Sequence, residues 1–199
     1  MKLFITAIWL AGLFSAISFL FWQNEVKYSL PTPVPAGYQS VQVGTRINIS
    51  DKIKTEEGKP LFLHFFNPGC PCSRFNIPQV SALIKKYGDR ISFAVVVLAP
   101  RTDYTVQDIQ DKFGAPIPVS FDTTLAVSCG VYSTPQAVLI DSDHQLYYRG
   151  NYNRSRYCTD KNSNYAQMAI DSLVNNHVKP VFTASALKSY GCELPVCTK

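Results

Sequence analysis

Runs of charge of one sign are missing from this sequence. Its 199 residues carry 19 Lys and Arg against 14 Asp and Glu, a net charge of +5, with the basic residues scattered along the chain. A nucleic-acid surface needs clustered cations, so that partner is excluded. Arg149, Arg154 and Arg156 come nearest to a basic patch, and they read as solvated loop charge. Several motifs are missing as well. No GxGxxG, P-loop, HExxH or GxSxG pattern occurs, which leaves nucleotide binding, zincin chemistry and the serine-hydrolase elbow without support. No motif calls for a cofactor. There is no internal repeat, and residues 31–37, PTPVPAG, form a stiff proline-rich tether.

What is present begins with a long apolar run. Residues 3–22 contain no charge, and Lys2 precedes them. Twenty helical residues at about 1.5 Å each span about 30 Å, the thickness of a hydrocarbon core. A cleaved signal peptide is the competing reading, and a buried soluble helix is a third. Phe19, Leu20, Phe21 and Trp22 at the end of the run make a poor cleavage site, which favours an uncleaved anchor. Trp22 and Tyr28 suit the aromatic belt of an interface. Lys2 and the terminal amine set the N-terminus inside, so the remainder is expected outside the cytoplasm. The sequence thus divides into an anchor or signal segment at 1–24, a linker at 25–40, a domain at 41–180 and a cysteine-containing tail at 181–199.

Within the domain, residues 41–49 alternate and read as an edge strand. Residues 60–66 are apolar on both faces, as a strand inside a parallel sheet must be. Ile77, Val80, Leu83, Ile84 and Tyr87 follow at helical spacing up to Gly88, and residues 91–99 make a second buried strand. A polar helix is expected at 105–113, a short strand at 117–121 and a short helix at 123–128. Two strands, 136–141 and 145–150, flank a turn, and an amphipathic helix covers 164–176. Strand, helix and strand followed by a hairpin and a helix is an α/β pattern.

Chemistry is concentrated in residues 65–75, FFNPGCPCSRF. Cys70 stands where a strand gives way to a helix, and helix N–H groups aimed at a sulfur favour thiolate over thiol. It should therefore be more acidic and more exposed than Cys72. A bond between cysteines one residue apart closes almost no loop and fits disulfide geometry badly. Such a pair is a poor staple and a plausible redox couple. Cys129, Cys158, Cys192 and Cys197 read as structural in an oxidising compartment. Cys192 has two readings, pairing with Cys197 or tying the tail to Cys158; the second closes the longer loop.

These segments together resemble the thioredoxin-like superfamily. The strand, the turn and the two cysteines look like its active site, and residues 132–141, YSTPQAVLID, look like its cis-proline loop and following strand. The resemblance implies a central mixed sheet flanked by helices, here with an N-terminal transmembrane anchor. It is closest in kind to membrane-anchored bacterial thiol–disulfide proteins near the peroxiredoxin-related branch. That implies a bacterial inner-membrane protein whose soluble domain faces the periplasm, with protein thiols and disulfides as substrates and a membrane electron donor. Cys70 would then be the nucleophile and Cys72 the resolving thiol, while Thr134 and Pro135 offer backbone to the substrate. Pro78, eight residues after Cys70, keeps the family's register, so Ser73 occupies the usual resolving position. Asn67 stands where a peroxidatic site would carry Thr or Ser. His64 takes the place of the family's buried acid, and an imidazole with a pKa near neutral could move protons there. Two other functions compete with exchange: a soft metal such as Cu(I) held by Cys70, Cys72 and His64, and a binding module without chemistry. His144 and His177 read as surface residues.

Overall fold

The computed structural model describes residues 1–26, 29–49, 52–53, 55–56, 58–99, 103–155, 157–175 and 177–194. The expectations for Tyr28, Arg156 and Cys197 lie outside the described residues.

A five-stranded mixed sheet in the order β3-β2-β1-β5-β6 organises the domain. Its strands are β1 (Leu61–Phe66), β2 (Ser92–Val97), β3 (Val119–Ser120), β5 (Gln136–Ile140) and β6 (Leu146–Gly150), while β4 (Ser133–Thr134) lies outside it. β1 runs parallel to β2 and antiparallel to β5, and all six of its residues are buried. That central position is why residues 61–66 alternate so little: both faces meet apolar neighbours.

Side-chain alternation divides the core into two layers. Phe62 and Phe66 face helices α3 (Ile77–Tyr87), α4 (Val106–Phe113) and α6 (Tyr165–Val174) through Leu83, Ile109 and Ile170. Leu61, Leu63 and Phe65 face α5 (Thr124–Cys129) and Ile47, Ile49 and Ile53 on the other side. Local chemistry sets the helix ends. Thr105 and Asp108 form a reciprocal capping box at the start of α4. Gly130 ends α5 in the left-handed region at φ 66°.

Residues 41–49 differ from expectation. Instead of an edge strand they form a turn around Gly44, at φ 88°, with one isolated antiparallel bridge from Arg46 to Gln145. Backbone hydrogen bonds from Gly44 to Leu146 and from Ile47 to His144 hold this segment against the β5–β6 hairpin. Ile47 and Ile49 are buried all the same, so the alternation reported burial and not extended pairing.

The chain after Pro180 returns to the domain. Helix α7 (Ala184–Leu187) is fixed by Asn151, whose backbone N–H donates to the Ala186 carbonyl and whose Nδ2 donates to the carbonyls of Ser185 and Lys188. Gly150 permits this approach, since a Cβ there would lie 2.3 Å from the Ala186 oxygen. Beyond α7, β7 (Cys192–Glu193) pairs antiparallel with β4, placing Cys192 opposite Thr134.

At the other end, α1 (Lys2–Phe21) continues into a π-helical turn at Trp22–Val26, and none of its residues is buried. The helix is long and apolar enough to cross a membrane. The full-length protein is expected to sediment with membranes and to resist carbonate extraction, whereas a chain starting at Ser29 should be soluble. An intact mass lacking the first 20 to 30 residues (roughly the length of a signal peptide) would show a cleaved segment instead.

Candidate active site

The turn between β1 and the first site helix is built by Asn67. Its carbonyl accepts from the Cys70 N–H at 3.0 Å and its Oδ1 from the Gly69 N–H at 2.9 Å, while its own N–H donates to Ser73 Oγ at 3.3 Å. Ser73 is thus committed to holding the turn. Cys70 is the N-cap of α2 (Pro71–Phe75), and Pro71 takes the first helical position, where no N–H is needed. Pro78 lies at the start of α3, where its lack of an N–H breaks the helical ladder. Asn76, at the junction, donates from Nδ2 to the Cys72 carbonyl at 3.1 Å.

The Thr134–Pro135 peptide bond is cis, and this loop lies against the cysteine turn, with Cys70 Sγ 3.9 Å from the Thr134 carbonyl oxygen. Cys70 is bonded to Cys192, 122 residues away in sequence. Cys72 is outside that bond, but the sulfurs of Cys70, Cys72 and Cys192 all lie within 4.8 Å of one another. All three residues are buried.

Comparison with known proteins gives this arrangement a family. The family described as "Domain of unknown function (DUF6436)" matches residues 40–194. The chain belongs to it. Among curated relatives, "Thiol-disulfide oxidoreductase ResA" of Bacillus thuringiensis (strain Al Hakam) is 26% identical over 146 residues, covering 67% of this chain and 84% of the relative. The protein of the same name from Bacillus anthracis matches equally well. A solved hypothetical protein from Sinorhizobium meliloti 1021 has TM-score 0.63 at 16% identity, covering 81% of this chain and 98% of its own. An uncharacterized conserved protein from Geobacillus kaustophilus has TM-score 0.59 at 17% identity, covering 84% and 100%. This DUF6436 domain is thioredoxin-like, and the chain is related to thiol–disulfide oxidoreductases.

The sequence reading of Cys192 needs correction. Within the DUF6436 domain it is bonded neither to Cys158 nor to Cys197 but to Cys70, because β7 brings it beside the cis-proline loop. Exposure needs correction too. Cys70 is fully buried, covered by the tail, and is not the more exposed of the two thiol positions. Cys129 and Cys158 are thiols, each pushed up to about 12 by burial, which keeps them protonated and poorly reactive. Cys158 Sγ donates to Asn76 Oδ1 at 3.2 Å, giving the Asn76 side chain its second bond.

His64 points into the layer formed by Phe66, Phe113 and Tyr152, and its Nδ1 is 2.6 Å from the Tyr152 hydroxyl. Burial lowers its pKa from 6.5 to about 3, so the ring is neutral, in contrast to the expected value near neutrality. Tyr152 also lines a cleft of about 550 Å³ together with Cys72, Asn76, Pro135, Asn151 and Cys158. Among the described residues, the metal-capable cluster at the site is the three cysteines, and His64 is not part of it. No sequence signal singled out Cys192, since the two-residue strand that places it carries no periodicity.

Two measurements test this site. Non-reducing peptide mapping is expected to recover Cys70 linked to Cys192; a Cys192–Cys197 or Cys158–Cys192 peptide would contradict it. The second follows from His64. The unfolded imidazole titrates near 6.5 and the folded one near 3, so the unfolded chain binds the extra proton between them. Stability from this group is therefore level above pH 6.5 and falls as pH drops towards 3, by about 1.4 kcal/mol per unit. Urea unfolding at several pH values should show wild type losing roughly 2 kcal/mol more than His64→Phe between about pH 6.5 and 5. Equal slopes would mean that the ring is not buried neutral.

Proposed function

We propose that the protein is a thiol–disulfide oxidoreductase acting on protein disulfides outside the cytoplasm, with Cys70 as the exchanging sulfur. The observation that carries this reading is the buried Cys70–Cys192 bond, with a third sulfur, Cys72, beside it and the Thr134–Pro135 loop against it. Exchange needs a reducible bond and a thiol within reach of it, and both are present here: a thiolate attacks one sulfur of a disulfide, a new S–S bond forms, and the other sulfur leaves as thiolate.

Cys70 has two neighbours able to close on it. Cys72 lies one residue away, and Cys192 reaches it from the tail. The helix N-terminus at Cys70 favours the thiolate once the bond is reduced. Thr134 and Pro135 would present backbone to the substrate. His64 remains neutral through the working pH range, so its proton-moving role would run through the Tyr152 hydroxyl that it touches and that side chain's place in the Cys72 cleft. The apolar N-terminal helix supports a membrane setting, and a membrane dithiol donor would supply the two electrons that reduce Cys70–Cys192.

One observation favours a second reading. After reduction, three close thiolates would form a soft donor set suited to Cu(I). Insulin-disulfide reduction and anaerobic Cu(I) titration of the reduced protein separate the two. Under the oxidoreductase reading, insulin is reduced well above the rate of the reductant alone. Cys70→Ser should abolish that activity, and His64→Ala should slow it. Tight stoichiometric copper binding without insulin reduction would favour the metal site.

A further inference from the structure

Reduction alone does not explain why the tail reaches Cys70 as a strand. Cys192 could meet Cys70 from a loop, yet residues 192–193 are extended and pair antiparallel with β4, Cys192 opposite Thr134 and Glu193 opposite Ser133. The close approach is built in. A Cβ on Gly191 would lie 2.3 Å from the Thr134 carbonyl oxygen and 2.8 Å from its carbonyl carbon, so glycine is required for the strand to seat. Thr32 of the proline-rich linker braces the same point. Its hydroxyl donates to the Gly191 carbonyl and accepts from the Gly191 N–H, both at 3.0 Å, and its own N–H donates to the Ser189 carbonyl at 2.8 Å.

Any peptide whose cysteine is disulfide-bonded to Cys70 must place that cysteine where Cys192 now sits. The neighbouring backbone edge available to it is β4, because Cys70 Sγ already lies 3.9 Å from the Thr134 carbonyl. An extended segment can add to such an edge through main-chain hydrogen bonds, independent of its sequence. Among the described residues, Ser133 Oγ and Thr134 Oγ1 on β4 are buried without a hydrogen-bond partner.

We propose that the tail strand at 189–194 is a built-in occupant of the edge that Thr134 and Pro135 offer to a substrate, and that Cys192 is the resolving thiol. This rests on the oxidoreductase reading and specifies its final step. In the reduced protein, the Cys70 thiolate attacks a substrate disulfide; the Cys70–substrate bond forms, and the second substrate sulfur leaves as thiolate. The Cys192 thiolate then attacks Cys70 Sγ. The Cys70–Cys192 bond forms, the Cys70–substrate bond breaks, and the remaining substrate sulfur leaves as thiolate and takes a proton from water. The substrate gains two electrons and the Cys70–Cys192 pair loses them. Bond formation to Cys192 and loss of the substrate sulfur are one displacement, and the tail strand takes the β4 edge as the product leaves it. Only the segment after α7 has to move, since Asn151 holds α7 in place.

The test uses the full-length protein, reduced by a dithiol and desalted. The probe is a synthetic hexapeptide whose cysteine is held as a mixed disulfide with thionitrobenzoate, alongside a twin N-methylated on the backbone beside that cysteine. Cys70 attack on the peptide sulfur releases the coloured thiolate. In Cys192→Ser the peptide should stay attached to Cys70, and the N-methylated twin should react roughly tenfold more slowly, as the loss of a hydrogen bond or two predicts. Gly191→Ala, which unseats the tail while keeping all six cysteines, should capture the parent peptide roughly tenfold faster than wild type by the same loss on the tail's side. Thr32→Val removes the brace without changing volume; it should act in the same direction and serves where Gly191→Ala does not fold. Equal rates for the two peptides would overturn the strand seat. Release of the peptide from Cys192→Ser at the wild-type rate would assign resolution to Cys72 and overturn the role of Cys192. If Cys70 reacts with no disulfide in any of these proteins, the oxidoreductase reading itself fails and this inference falls with it.

Discussion

The contact on which the rest of the site depends is the pairing of β7 with β4. It brings Cys192 to Cys70 across 122 residues of sequence. A cross-link closing a loop of that length removes conformational entropy worth about 4–5 kcal/mol from the unfolded chain. The same bond buries Cys70 completely. Stability and access to the Cys70 sulfur are therefore opposed in one covalent contact, and reducing it gives up the first and opens the second. The remaining polar architecture prepares for that contact. Asn151 and Gly150 hold α7 against β6, Thr32 braces Gly191, and Gln136 Nε2 donates to Ser189 Oγ.

Two ends of the chain thus converge on one edge. Thr32 belongs to the linker that follows the apolar N-terminal helix, and it is fully engaged with the C-terminal tail. A linker that merely spaced a domain from a membrane would need no buried threonine. Here the tether and the tail share hydrogen bonds, so the position of one contributes to the stability of the other. Tyr157 makes a further connection, donating from its hydroxyl to Glu25 just beyond the long helix.

The site also shows how burial redirects residue chemistry. His64 stands in a layer of aromatic rings, where desolvation suppresses its charge and leaves it hydrogen-bonded to Tyr152. Ser73, at the position where the related pattern places a resolving cysteine, fixes the Asn67 turn instead. The sulfurs that stand beside Cys70 instead are those of Cys72, one residue earlier, and Cys192 from the tail. Cys129 and Cys158 are protonated by the same desolvation and take part in packing and in the Asn76 hydrogen bonds.

Much of this protein could be read from its sequence, because its determinants are local. Residues 61–66 are apolar on both faces at all positions but His64, as a central strand is; Ile77, Val80, Leu83 and Tyr87 repeat at helical spacing; Cys70 stands where a strand gives way to a helix. The Thr134–Pro135 loop was recognisable by its place after these elements, and the twenty uncharged residues at the start by length alone. Residues 41–49 show the limit of such reading, since alternation reports which side chains are buried whether or not the backbone pairs. The disulfide partner was beyond that limit. Sequence spacing measures loop length and not proximity in the fold, and Cys70 reads from its neighbour as the partner of Cys72. Only the tertiary structure decided for Cys70, because α7 docked on Asn151 and a glycine able to pass within contact of Thr134 together aim a two-residue strand at one sulfur.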